Sequence, residues 1–147
     1  NAGHSSFGVM SLIDDVTYHS IDICQYPHTE VCASKLTDMF PERFKFTKLD
    51  SKDLDIDAMS VYDMVFVDGD HRLGPAALDV QKCNQAGVEW ILIDDYEYIW
   101  FPQLTKLINH YINSSRFPYV LDSIHEYDCV DGWKGVGKMV LLKRDSK

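Results

Sequence analysis

Along its 147 residues the chain alternates two hydrophobic periodicities, and that alternation limits the fold more than any single residue does. Residues 5–13 carry Phe7, Met10, Leu12 and Ile13 at helical offsets, with Ser5 or Ser6 placed to cap the start. Residues 16–22 are β-branched and aromatic and end on an acid. Over 28–40, Val31, Leu36, Met39 and Phe40 mark a helix closed by Pro41, and 43–49 read as a second strand with Phe44 and Phe46 on one side. Residues 62–67 form a near-continuous apolar run, the pattern of a strand buried on both faces. A helix over 75–86 follows, with Pro75 in its first turn and Gly87 at its end. Next come a buried strand over 88–93, a helix over 101–112 entered at Pro102, and closing strands at 119–124 and 138–143.

Repeated strand–helix alternation predicts an α/β fold of Rossmann-like type, an open and mostly parallel sheet with helices on both faces. The closing strands are separated by about 13 residues without helical periodicity, including Gly132, Trp133, Gly135 and Gly137. Such a connection suits a hairpin and makes the last strand antiparallel. No repeat or linker interrupts the pattern, so residues 1–147 read as a single domain.

Composition narrows the function. A 46% hydrophobic and 25% charged chain can bury a core, and it contains no apolar run long enough for a membrane helix. Fourteen basic against 23 acidic residues give 14 − 23 = −9, a field that repels phosphate backbones and anionic membranes. No nucleic-acid or membrane partner is expected. Cys24, Cys32, Cys83 and Cys129 show neither Cys-x-x-Cys nor zinc spacing and read as small, mostly buried thiols. With no signal-like start at Asn1-Ala2-Gly3-His4, a cytoplasmic protein is expected. Asn113-Ser114-Ser115 matches a glycosylation acceptor, a pattern too short to carry weight.

Ligands of such sheets bind beyond the carboxyl ends of the strands. Those ends read Asp22, then Asp50-Ser51, then Asp68-Gly69-Asp70-His71, then Asp94-Asp95. A carboxylate in the position of Asp22 can accept both hydroxyls of a ribose. Gly3, ahead of a helix, allows backbone to approach a ligand. Asp68, Asp94 and Asp95 bring like charges together and need a proton, a ligand or a cation to offset them; oxygen donors favour Mg²⁺, Mn²⁺ or Ca²⁺. Asp95 could equally cap the following turn, leaving Asp68 alone near ligand. His71 could act as base, as metal ligand or as hydrogen bonder at a helix start.

At these residues the sequence resembles class I S-adenosylmethionine-dependent methyltransferases, over nearly its whole length. The motifs are Val67-Asp68-Gly69-Asp70-His71, Asp94-Asp95-Tyr96 and the turn Asn1-Ala2-Gly3-His4-Ser5, which is similar to the second half of that family's first motif. The resemblance implies that Gly3, His4 and Ser5 lie against the methionine part of the cofactor. It places Asp22 on the ribose, Asp50 and Ser51 beside the adenine, and Asp68 at the pocket's close. Within the family the chain is similar to cation-dependent small-molecule O-methyltransferases. That implies a divalent cation, Mg²⁺ or another, on Asp68, Asp94 and Asp95, and catalytic roles for His71 and Asp68. The implied reaction is in-line attack of an acceptor oxygen on the sulfonium methyl, with His71 taking the proton. Tyr96, Tyr98, Trp100 and Phe101, just past the acid pair, could line an aromatic wall for a small hydroxylated acceptor or equally pack between strand and helix, and a homo-oligomer is compatible with this reading.

Two other functions fit the same residues. Asp68-Gly69-Asp70 is similar to the metal-binding Asp-x-Asp of nucleotide-sugar glycosyltransferases, and a non-catalytic cofactor-binding relative would keep the same motifs. The family's sheet also begins with a central strand ahead of the turn at 1–3, and no such strand is present here. The strands at 16–22 and 62–67 would then each keep an open edge, so the chain is expected to be the C-terminal segment of a longer protein.

Overall fold

The structure, a computed structural model, describes residues 3–128 and 136–145. It divides between Asp53 and Leu54 into two compact units. The first contains helix α1 (His4–Leu12), strand β1 (Tyr18–Asp22), helix α2 (Pro27–Met39), strand β2 (Phe44–Lys48) and a 3₁₀ turn (Ser51–Asp53). The second contains α3 (Ile56–Met59), β3 (Met64–Val67), α4 (Leu73–Ala86), β4 (Trp90–Ile93), α5 (Pro102–Ile112), β5 (Tyr119–Asp128) and β6 (Val136–Arg144). No described helix is long and apolar enough to cross a membrane. Asn1, Ala2, Cys129, Gly132, Trp133 and Gly135 lie outside the described residues.

In the first unit β1 and β2 pair in parallel, Tyr18 opposite Phe44 through Asp22 opposite Lys48. Met10, Leu36 and Phe44 form its core, flanked by Val16, Tyr18, Phe40 and Phe46. Two expectations change here. The buried face of α2 is Thr29, Ala33 and Leu36, at i, i+4 and i+7, while Val31 and Met39 are exposed. Neither Ser5 nor Ser6 caps α1; Gly3 is the N-cap, with φ 80°, and Ser6 is buried. The carbonyls at the other end of α1 are met by Arg43, whose guanidinium donates to Met10, Ile13 and Asp14 oxygens at 3.3, 3.0 and 2.6 Å. That arginine answers both the unpaired carbonyls and the negative end of the helix dipole.

The second unit is built on a four-stranded sheet in the order β3-β4-β6-β5. β3 and β4 are parallel, whereas β6 is antiparallel to both β4 and β5. The expected closing hairpin is present, and its last strand inserts beside β4. Among the described residues two strand pairings are parallel and two antiparallel, so the fold there is a mixed α/β arrangement and the expected mostly parallel sheet is met only in part. β1 and β3 each have a paired strand on one side only among the described residues. As an edge strand β3 is not buried on both faces, and Met64 is 48% exposed.

Alternate side chains of β4 and β6, Ile91 with Ile93 and Val140 with Leu142, are fully buried against Val80 and Cys83 of α4 and Leu104 and Ile108 of α5. Burial pushes the Cys83 thiol up to about 12, which makes it an inert core residue. Cys24 and Cys32 are only partly buried, unlike the expectation for them. Tyr119 at the start of β5 is buried and donates its hydroxyl hydrogen to the Val88 carbonyl at 2.5 Å, while Arg144 Nη1 donates to the Tyr119 hydroxyl oxygen at 3.2 Å. Tyr119→Phe leaves both partners without their bond inside the core. We expect a loss of roughly 1–3 kcal/mol in urea unfolding with an unchanged transition slope.

Candidate functional site

Each unit presents its chemistry at the carboxyl ends of its strands. In the first, Asp22 ends β1, and its Oδ1 accepts from the Cys24 backbone N–H at 2.5 Å. Cys24 takes φ 59°, a left-handed turn that keeps the carboxylate at the strand end. Leu49 N–H donates to the Asp22 carbonyl at 3.1 Å, so Asp50 and Ser51 follow immediately at the neighbouring strand end. Asp50 accepts from the Lys52 backbone N–H at 3.0 Å and pairs with the Lys52 ammonium at 2.9 Å. His4 and Ser5 are exposed in the first turn of α1. A Cβ on Gly3 would come within 3.2 Å of Leu36 Cδ1, a tight contact, and φ 80° favours glycine there whether or not a ligand approaches.

The second unit holds the tighter cluster. β3 runs into Asp68 and β4 into Asp94-Asp95, and Asp94 N–H donates to the Val67 carbonyl at 3.1 Å, which locks the two strand ends together. Asp68 is mostly buried; that burial, and next the Asp94 carboxylate, push its pKa from 3.8 up to about 6. His71 sits in the turn ahead of α4, 8% exposed. Its Nδ1 lies 2.9 Å from Asp95 Oδ2. Its Nε2 is buried without a hydrogen-bond partner among the described residues, and Asp68 Oδ1 lies 3.8 Å away, beyond hydrogen-bond reach. The Phe101 ring meets the imidazole edge-on, with centroids 4.9 Å apart. Burial opposes protonation of His71, but the Asp95 hydrogen bond and the charges of Asp95, Asp68 and Asp94 outweigh it and raise the ring above 6.5.

The geometry among the described residues does not support the expected cation set. Asp95 has φ 55°, a left-handed conformation that aspartate tolerates better than most residues, and its carboxylate is committed to His71. Asp94 Oδ1 accepts from the Asp95 backbone N–H at 2.8 Å and from the Tyr127 hydroxyl at 2.7 Å. Asp94 and Asp95 therefore turn to separate partners, and no group of three His, Cys, Asp or Glu side chains among the described residues is placed to hold a metal. The second acid of the Asp-x-Asp pair also has a partner of its own. Asp70 is turned to the Arg72 guanidinium, at 2.9 and 2.8 Å from Nε, and that hydrogen bond keeps its carboxyl below the usual range.

The aromatic stretch after the acids divides. Tyr96 is buried, donating to Asn109 Oδ1 at 3.0 Å, and Phe101 packs on the core and on His71. Trp100 is 68% exposed and is the member left as a surface. The sequence reading missed Tyr127, because it ended the strand at Ile124 whereas β5 continues to Asp128. The signal for it is a cross-strand pairing with Gly137, a residue with no side chain to obstruct a ring. An open hollow of about 680 Å³ lies elsewhere, lined by Lys106, His110 and Arg116, and contains none of the strand-end acids.

No protein-family model and no curated protein matches this sequence. The fold does match solved structures. An rRNA methylase from Streptococcus thermophilus aligns with a TM-score of 0.61 at 10% identity, over 99% of this chain and 82% of its own. A Burkholderia thailandensis 1,6-didemethyltoxoflavin-N1-methyltransferase, with bound 1,6-didemethyltoxoflavin and S-adenosylhomocysteine, gives 0.68 at 12% identity, over 99% and 68%. M. jannaschii TYW2 in complex with AdoMet gives 0.53 at 12% identity, over 98% and 77%. These likenesses establish a Rossmann-like α/β fold of the kind found in methyltransferases.

The buried Asp68 has a consequence for stability. The unfolded chain releases this proton near 3.8, and the native protein near 6. Between those values the native state binds the proton more firmly, so stability falls as pH rises, and the whole penalty is present above about pH 6. Asp68→Asn removes the charge and should stabilise the protein by up to about 3 kcal/mol near pH 8. The gain should shrink toward zero near pH 4 in paired urea titrations.

Proposed function

We propose that this chain is an S-adenosylmethionine-dependent methyltransferase acting on a hydroxyl group of a small molecule. The observation that carries the reading is the state of His71, one nitrogen held by Asp95 and the other buried with no partner among the described residues. A neutral imidazole fixed in this way presents a lone pair at Nε2, ready to accept a proton from an acceptor hydroxyl. The reaction class is supported by the methyltransferases that share the fold.

Gly3, His4, Ser5, Asp22, Asp50 and Ser51 would hold the cofactor, with the Asp22 carboxylate suited to a ribose diol. When bound, S-adenosylmethionine supplies a methyl group on a sulfonium, open to in-line attack by an oxygen. The protein's share is to orient the acceptor, exclude water and take the proton at His71 Nε2. Asp68, kept protonated to about 6 by burial and by Asp94, can donate a hydrogen bond to the acceptor below that pH and accept one above it. No step is routed through a metal, because the carboxylates do not form a site for one among the described residues.

The acceptor fits a small hydroxylated molecule better than RNA, despite the rRNA methylase among the similar structures. The net charge is −9, and the second unit's strand ends are lined by carboxylates rather than by arginines or lysines. The same charge argues against a membrane partner, and the partly exposed Cys24 and Cys32 suit the cytoplasm.

Calorimetry with S-adenosylhomocysteine tests the cofactor. The wild type should bind, and Asp22→Ala should weaken binding about tenfold or more, as expected for loss of hydrogen bonds to a charged group. Absence of wild-type binding overturns the reading. His71→Ala should bind the cofactor product as the wild type does. It should lose methyl transfer to a panel of small phenols and sugars by roughly 10²–10⁴.

A further inference from the structure

The closing hairpin reaches past the strand that carries the acids. β4 ends at Ile93, opposite Val140 of β6, while β5 and β6 remain paired as far as Asp128 and Val136. This overhang is tied to the turn after β4. Tyr96 N–H donates to the Lys138 carbonyl at 2.9 Å, and the Lys138 ammonium bridges Glu97 at 2.8 Å and Glu126 at 3.0 Å.

Within the overhang Tyr127 stands opposite Gly137, and its ring fills the space of the missing side chain. A Cβ at Gly137 would lie 2.3 Å from Tyr127 Cζ and 2.6 Å from its hydroxyl oxygen. No real Cβ tolerates such a contact, so the ring takes this course only over glycine. The course delivers the hydroxyl to Asp94 Oδ1 at 2.7 Å. That same oxygen accepts the Asp95 backbone N–H at 2.8 Å, and Asp95, at φ 55°, holds His71 Nδ1 at 2.9 Å.

We propose that Tyr127 is a positioning residue, acting on His71 through Asp94 and Asp95 to set which ring nitrogen carries the proton. With the phenol in place Asp94 has two donors on one oxygen and cannot turn. Its Oδ1 then restrains the left-handed Asp95, whose carboxylate selects the Nδ1–H tautomer and leaves Nε2 as acceptor. The importance of that tautomer for methyl transfer rests on the function proposed above, but the coupling itself does not.

The test reads the ring nitrogens of His71 by ¹⁵N NMR in the whole labelled chain, at a pH where the imidazole is neutral, with His71→Gln to assign the signals. In the wild type the Nδ1–H form should dominate by roughly tenfold or more, as a hydrogen bond to a carboxylate allows. Tyr127→Phe keeps a ring over Gly137 and removes only the hydroxyl, and it should move the ratio toward parity. Gly137→Ala keeps the hydroxyl but displaces the ring, and should do the same. If Tyr127→Phe leaves the His71 signals unchanged, the ring serves only to cover the glycine and the proposal is overturned. A mixed tautomer population in the wild type also overturns it. S-adenosylhomocysteine calorimetry on the same samples separates the two ideas, since failed binding removes the methyltransferase reading without altering the tautomer result.

Discussion

Strand β4 is clamped on both sides, by β3 in parallel and β6 in antiparallel register, with Ile91 and Ile93 sealed in the core. Its backbone cannot slide without breaking two ladders, and a shift of one residue would turn both isoleucines outward. The place where β4 stops is therefore fixed to within one residue, and with it the position of Asp94 and Asp95. Everything chemical in the second unit hangs from that point. Asp68 is set by the bond from Asp94 N–H to Val67, His71 by Asp95, and Tyr127 by Asp94.

This dependence explains which parts of the molecule could be read from the sequence. Element type follows from local periodicity, so each strand and helix longer than one turn was legible, usually to within two residues. The short α3 and the 3₁₀ turn at 51–53 bury too little to leave a pattern. The acids were legible as a set because chain direction alone puts strand carboxyl ends on one side of a parallel pair. Their partners were not. Whether Asp95 faces a cation or His71 depends on one backbone angle, φ 55°, in a residue other than glycine, and nothing in the local sequence signals it. Tyr127 depends on a hairpin register shifted by an irregularity between Leu121 and Ser123, which a count of alternating residues cannot reveal.

The same limit governed the faces of α2. Val31 and Met39 share a helical spacing with Leu36, yet the unit turns Thr29 and Ala33 inward with it and leaves both larger residues exposed. Small residues at i and i+4 let the helix sit close on Phe44 and the neighbouring strand. Hydrophobicity predicts that a face exists, but side-chain volume decides which of two candidate faces packs.

Three carboxylates within one cluster ordinarily demand a counter-charge, because their mutual repulsion grows as water is excluded. Here the chain supplies the compensation from its own groups and differently for each acid. Asp95 is matched by an imidazole, Asp94 by a phenol and a backbone N–H, and Asp68 by holding its proton to about 6. The three aspartates thus take three different states, one paired with an imidazole, one anchored by a phenol and a backbone N–H, and one buried acid. The difference lies in the angle at Asp95 and in the absence of a side chain at Gly137.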